Sequence, residues 1–366
     1  MPELLLQRAG VVDPAAREAS SPSCSPAAVE RRAAAVLVVG IPGATSTDDP
    51  LARAVVELGV GGLFLSEPNV ESADQVRDLV RGLQELADRP LLVAVDEESG
   101  RVAVSDVLVV PGPAPRRLAE RQTPEEVRAY AADIGRELVD VGVNLDLAPL
   151  LDLDDGPWSG IIGDRSFSAD PQVAAEYGLA FSAGLSDAGI TPTVKHFPGH
   201  GRSLTDTHAE GATVEATLES LRETDLLPFQ RAIDAGAPVV MLSHLQYSAL
   251  DPALPASLSP QAYALLRDMG FDGVALTDSI GMGAVNLRWN FPEAAVLAIA
   301  AGADAVLATD GNQAVAMRDA LVEAVRSGRL PEERLSEAAA RVTSLAGGDP
   351  MTMSCLDPDL PSLSVD

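Results

Sequence analysis

The chain has 366 residues, 46% of them hydrophobic, and its 54 Asp and Glu against 26 Lys and Arg give a net charge of −28. That much apolar content supplies a core and excludes a disordered chain, while the charge argues against nucleic acid, whose phosphates would be repelled over most of the surface. The two cysteines, Cys24 and Cys355, lie near the ends, so neither a disulfide framework nor thiol catalysis is expected.

The opening "MPELLLQRAGVV" lacks a basic start followed by a long apolar run. No stretch approaches the ~20 apolar residues of a membrane span, so a cytoplasmic protein without membrane contact is expected. Residues 12–30 are rich in Ala, Ser and Pro, and 1–33 are expected to form a partly disordered extension. Short apolar runs then alternate with helical patterns. Strands are expected at "AAVLVVG" (34–40), "GGLFLS" (61–66), "LLVAV" (91–95), "VNLDLAP" (143–149), "TPTVK" (191–195), "PVVMLS" (238–243), "GVALT" (273–277) and "ADAVLA" (303–308). Apolar spacing near 3.6 predicts helices at 73–88, 123–141, 172–188, 215–235, 259–269, 292–301 and 312–327. Continuous apolar strands alternating with helices imply a covered parallel sheet, and eight units imply a single (β/α)8 TIM-type barrel over 34–347. An open doubly wound sheet is the alternative. Residues 348–366, rich in Asp, Pro and Ser, read as a loose tail.

Polar residues cluster where the strands end: "DEESGR" from Asp96, "LLDLDDGPWSGIIGDRSF" after the fourth run, Lys195-His196 after the fifth, His244 after the sixth and Asp278 after the seventh. In a barrel those ends converge on one face, where active sites form. Lys195 is the only lysine, and all four histidines (His196, His200, His208, His244) fall within 49 positions. Pro198, Gly199 and Gly201 prevent a regular helix there, so His196 and His200 do not share a helical face as a zinc motif would require. Asp206 and His208 are spaced for the carboxylate to orient the imidazole as a base, although an Asp-x-His pair in a loop usually serves only a turn. Asp278 reads either as a helix cap or as a catalytic carboxylate, and the titratable groups at the other strand ends favour the second. One of Asp96, Glu97, Glu98 and Arg101 is expected to face the pocket, with the rest solvated. Arg165 could simply pair with an acid, and Trp158 and Trp289 offer either core packing or a face for a sugar ring.

The strings "VKHFPGHGRSLTDTH", "VDEESGRV", "IIGDRSFSADP", "MLSHLQYSALDPALPASLS" and "LRDMGFDGVALTDSIGMGAV" resemble the family 3 glycoside hydrolases, specifically the bacterial β-N-acetylglucosaminidase (β-hexosaminidase) branch. The likeness spans roughly 34–345, and the family's fold is a (β/α)8 barrel. It implies a retaining glycosidase that releases terminal β-linked N-acetylglucosamine, for example from peptidoglycan fragments, through a glycosyl-aspartate. Asp278 matches the nucleophile, His208 the acid/base and Asp206 its partner; Asp96, Arg165, Lys195 and His196 match positions that hold sugar hydroxyls. The implied partner is a small carbohydrate, no metal or organic cofactor is expected, and the oligomeric state is left open. The usual "EGGRVxR" is here "ESGRVAV": Ser99 replaces a glycine and Val104 the second arginine, which bears on the sugar. Another β-glycoside, a metal-dependent barrel hydrolase using His196, His200, His208 and Asp278, and a non-catalytic sugar binder are the competing readings. No H-x-H follows the first strand, which counts against the metal.

Overall fold

A computed structural model describes residues 27–354; the expectations for Cys24, Cys355 and most of both ends lie outside them. Eight parallel strands form the sheet: β1 (Leu37–Gly40), β2 (Gly62–Phe64), β3 (Leu92–Val95), β4 (Leu145–Asp146), β5 (Thr191–Phe197), β6 (Val239–Leu242), β7 (Val274–Thr277) and β8 (Val306–Ala308). Neighbours in sequence pair in register, for example Leu63 with Val93 and Ala94 with Leu145. Val38 of β1 pairs with Leu307 of β8, and a bridge between Leu276 and Ala305 joins the last two strands, closing the ring. The fold is the (β/α)8 barrel.

The period-two alternation of strands divides the core in two. Val38, Phe64, Ala94, Leu145, Met241, Leu276 and Leu307 point inward and fill the barrel. Leu37, Leu63, Val93, Val194, Val240 and Ala275 point outward beneath the helices. Local chemistry sets the helix ends: Asp49, Asp170 and Asn290 accept first-turn N–H groups, and Thr123 with Glu126 forms a capping box before Pro124–Asp140.

Five helices fall outside the sequence expectations, among them the short Pro115–Arg121 and Gly283–Asn286. Pro50–Leu58 and Glu332–Leu345 cover the barrel, and Val29–Ala35 occupies residues assigned by sequence to the extension and the first strand. The alanine run there suits a helix better than a strand, and buried Arg32 bonds Ser336 and Glu332. The expected 215–235 helix is two pieces, Leu218–Glu223 and Leu226–Asp234, interrupted at Thr224 and Asp225. Among the described residues no helix is long and apolar enough to cross a membrane.

Candidate active site

The alternation that fills the barrel also delivers the site. One step beyond inward Ala94, Leu276 and Leu307 come Asp96, Asp278 and Thr309, all lining a cavity of about 380 Å³ at the carboxyl ends of the strands. Lys195 continues the inward face of β5 through Thr193. Strict alternation would turn His196 outward. Instead the pairing of β5 with β6 slips between Val194 and Phe197, two residues standing opposite Met241 alone. Such a bulge re-aims a side chain, and both Lys195 and His196 line the cavity.

Its walls are an ion network. Lys195 Nζ donates to Asp96 Oδ1 at 2.6 Å and lies 2.7 Å from Glu98 Oε1. Arg165 grips Glu98 with two bonds of 2.7 Å. Burial pushes the Glu98 carboxyl up, but Arg165 and Lys195 more than reverse this and hold it at about 2. Burial likewise opposes the charge of Lys195, and Asp96 and Glu98 win, raising it above the ordinary lysine range. Both cations therefore stay charged.

Asp278 sits on the floor with Oδ1 accepting from the Ser279 backbone N–H at 2.7 Å. Burial raises its carboxyl, but His244, His196, the Ser279 N–H and Lys195 together bring it below the usual range, so it is ionised. It caps no helix: the next begins at Gly283, with Met282 in the cap position. His244 is buried behind it, one ring nitrogen on Ser257 Oγ at 2.7 Å and the other on the Ser279 carbonyl at 2.8 Å. A carbonyl can only accept, so Nε2 carries the proton.

At the mouth, Asp206 Oδ1 accepts from the backbone N–H of His208 at 2.9 Å and pairs with its Nδ1 at 2.8 Å. The His208 backbone N–H, then its ring, draws the Asp206 carboxyl below its ordinary range. The imidazole is 73% exposed, so Nε2 is open to a ligand. The segment is anchored from behind, because Gly283 N donates to His208 O at 2.9 Å and Ala284 N to Thr207 O at 3.1 Å. Upstream, a Cβ on Gly201 would lie 1.7 Å from the Leu153 carbonyl, so only glycine lets the loop approach that closely.

All seven residues singled out by sequence (Asp96, Arg165, Lys195, His196, Asp206, His208, Asp278) therefore belong to one site: six line the cavity, and Asp206 holds His208. Several expectations need correction. Glu97 and Glu98 are buried rather than solvated. Glu97 bonds the backbone N–H groups of Ser99 and Val104, and Glu98 is the acid that Arg165 and Lys195 share. Val104 is 3% exposed within the outer core and does not line the cavity. Arg101 does not line the cavity; it braces the loop before Arg165 through Asp164 and the carbonyls of 160–162. Ser99 adopts φ 70°, glycine's region, while its hydroxyl bonds Tyr130 and the Pro113 carbonyl. Trp158 packs against Arg116 and Arg117, and Trp289 against Arg288, and neither lines the cavity. Among the described residues no cluster of three His, Cys, Asp or Glu is placed to hold a metal ion.

Sequence reasoning missed Asp152. Fully buried after β4, it accepts from the backbone N–H groups of His196 (3.2 Å) and His200 (2.6 Å) and pairs with His196 Nδ1 at 2.7 Å. His200 lines the cavity, with Nε2 3.2 Å from Thr207 Oγ1, and burial chiefly lowers its pKa to about 4. Nothing in "LLDLDD" distinguishes Asp152 from Asp154 or Asp155; its burial does.

A barrel mouth carrying an ionised aspartate, an Asp–His dyad and a network of charged hydrogen-bonding groups has the components for acid–base and nucleophilic chemistry. Residues 29–345 match the model of the glycosyl hydrolase family 3 N terminal domain. The β-hexosaminidase LpqI of Mycobacterium tuberculosis is 36% identical over 353 residues, covering 93% of this chain and 89% of that protein. The solved structure of M. tuberculosis LpqI superposes with a TM-score of 0.81, covering 90% of this chain and 98% of that one. A family 3 β-N-acetylglucosaminidase from Paenibacillus superposes at 0.82 with 34% identity, covering 88% of this chain and 62% of that one. The chain belongs to glycoside hydrolase family 3 and is a glycosidase.

Proposed function

We propose that the protein is a retaining β-N-acetylhexosaminidase that removes terminal β-linked N-acetylglucosamine, with peptidoglycan fragments as the substrate class. The observation that carries this is the pairing of an exposed Asp206–His208 dyad with the ionised Asp278 on the floor of the same cavity. The names of the relatives support the choice of sugar.

In the first step an Asp278 oxygen bonds the anomeric carbon as the bond to the leaving oxygen breaks, and that oxygen takes the Nε2 proton of His208. The neutral imidazole then takes a proton from water, whose oxygen attacks the same carbon and releases Asp278 as carboxylate. Two inversions return the β-sugar. Lys195 and Arg165, held charged by Glu98, donate to sugar hydroxyls, while Asp96 and His196 complete the cradle. Asp206 fixes the ring so that Nε2 is the exchanging atom.

A panel of aryl β-glycosides with and without the 2-acetamido group tests the reading. Hydrolysis should be confined to, or fastest by far on, the N-acetylglucosaminide. The competing reading is a family 3 enzyme for a different β-glycoside. Cleavage of plain glucosides with N-acetylglucosaminides untouched would establish it.

A further inference from the structure

The structure holds two Asp–His pairs, and the proposed mechanism uses one. The other, Asp152 with His196, is buried where the first is exposed. Burial raises the Asp152 carboxyl, but its pairing with His196 and the His200 backbone N–H more than offset this, so it is a carboxylate. A carboxylate offers no proton, so the 2.7 Å contact to His196 Nδ1 requires the proton on the imidazole. With Nδ1 taken, Nε2 is the ring atom left to act in the cavity that His196 lines.

We infer that Asp152 is a positioning residue that fixes the Nδ1–H tautomer of His196, making its Nε2 a hydrogen-bond acceptor for a sugar hydroxyl. The inference rests on the proposed seating of the sugar in this cavity. The chemistry around it gives the acceptor its purpose. Lys195 and Arg165 can only donate, and one of the two Asp96 oxygens already accepts from Lys195. A sugar ring presents hydroxyls that donate as well as accept, and beside two cations that only donate, those hydroxyl protons need acceptors. An acceptor beside Lys195 completes the match. Asp152 also holds the frame: its carbonyl accepts from Ser166 Oγ at 2.7 Å, next to Arg165, and the adjacent Leu151 N–H bonds the Lys195 carbonyl at 2.6 Å. Leu151 and Asp152 together thus tie the strand-four loop to Lys195, His196 and the Ser166 that follows Arg165.

Asp152→Asn is the discriminating change. The amide oxygen can still accept from the His196 and His200 backbone N–H groups, but its NH2 donates to Nδ1 and drives the proton to Nε2. The sugar hydroxyl then meets a donor. KM for the aryl glycoside that the enzyme cleaves should rise about tenfold, with kcat changed far less. In a His196→Ala background the same substitution should add nothing. Nitrogen-15 spectra of the four imidazoles, assigned by single substitutions, should show His196 as Nδ1–H in the native protein without sugar and as Nε2–H in the variant. Native His196 found as Nε2–H or as imidazolium at neutral pH would overturn the inference even if the variant fails to fold. So would an unchanged KM, or a full additional loss in the His196→Ala background. The tautomer measurement needs no substrate, so it stands apart from the choice of sugar.

Discussion

Replacing Glu98 with Gln tests the electrostatic frame of the cavity. The side chain is completely buried between Arg165 and Lys195, themselves 13% and 3% exposed. With Asp96 the four groups sum to zero charge; the amide leaves one cation uncompensated. Breaking a buried ion network by removing one partner costs about 3–5 kcal/mol. Linkage gives a second route to the number. The carboxyl drops from 4.5 to about 2 on folding, a displacement worth about 3 kcal/mol. The sign follows from the depressed pKa: the stabilisation is fully present above about 4.5 and is lost as the pH falls through about 2. Glu98→Gln should therefore lower the unfolding free energy by about 3 kcal/mol at pH 7, and the gap should shrink to about 1–2 kcal/mol near pH 3, where the native carboxylate is losing its advantage. Urea unfolding of both proteins at pH 7 and pH 3 measures it. A gap below 1 kcal/mol at pH 7, or one that does not narrow in acid, would refute the argument.

Three further perturbations separate the roles within the site. Asp278→Ala should abolish turnover without unfolding the protein, and a mechanism-based 2-fluoro sugar should label Asp278 in the native enzyme; label on another carboxylate would reassign the nucleophile. His208→Ala should cripple hydrolysis least for aryl groups that leave without protonation, and Asp206→Ala should cost less, about 10²–10⁴-fold; pH–rate profiles unchanged in both variants would contradict the dyad. His200, lowered to about 4 by burial, stays neutral in the fold while the unfolded chain takes up a proton at about 6.5, so native stability should decline by up to about 3 kcal/mol as pH falls from 6.5 to 4. His200→Gln should flatten that limb of the urea-midpoint profile, in a window above the one Glu98 governs.

Much of this barrel was legible because parallel strands are buried on both faces and read as unbroken apolar runs: "LLVAV" and "GVALT" fall within a residue or so of β3 and β7. Asp96 and Asp278 were legible for the same reason, each being the first polar residue after such a run. The Val29–Ala35 helix was not, because its alanines adjoin a true strand and blur the boundary. His196 facing the cavity depends on the β5 bulge, a two-against-one pairing that exists only once β6 lies alongside. Glu98 and Asp152 are acids among other acids in sequence; their roles appear when cations and imidazoles from distant strands close around them. Val104 misled in the opposite direction: a position expected to face sugar turns into the core, and its backbone N–H serves Glu97.

If His208 serves as the proposed acid/base, the charge balance favours an imidazole at this mouth over the second carboxylic acid of the usual retaining pair. Asp96, Glu98, Asp152 and Asp278 already gather within or beneath the cavity, with Lys195 and Arg165 as the fixed cations. In a chain carrying a net −28, a further carboxyl at this mouth would add one more negative charge to the group each time it gave up its proton. An imidazole spends the corresponding stage neutral. On the proposed route its positive stage coincides with the moment before attack, when Asp278 is still an anion; delivery of the proton would leave Asp278 esterified and the ring neutral, so both charges would vanish together. Asp206, held outside the cavity lining and half-exposed, orients the ring without placing its charge against the nucleophile. On the proposed route, the dyad gives one exposed nitrogen two protonation states while the summed charge around the anomeric carbon stays constant through the first step.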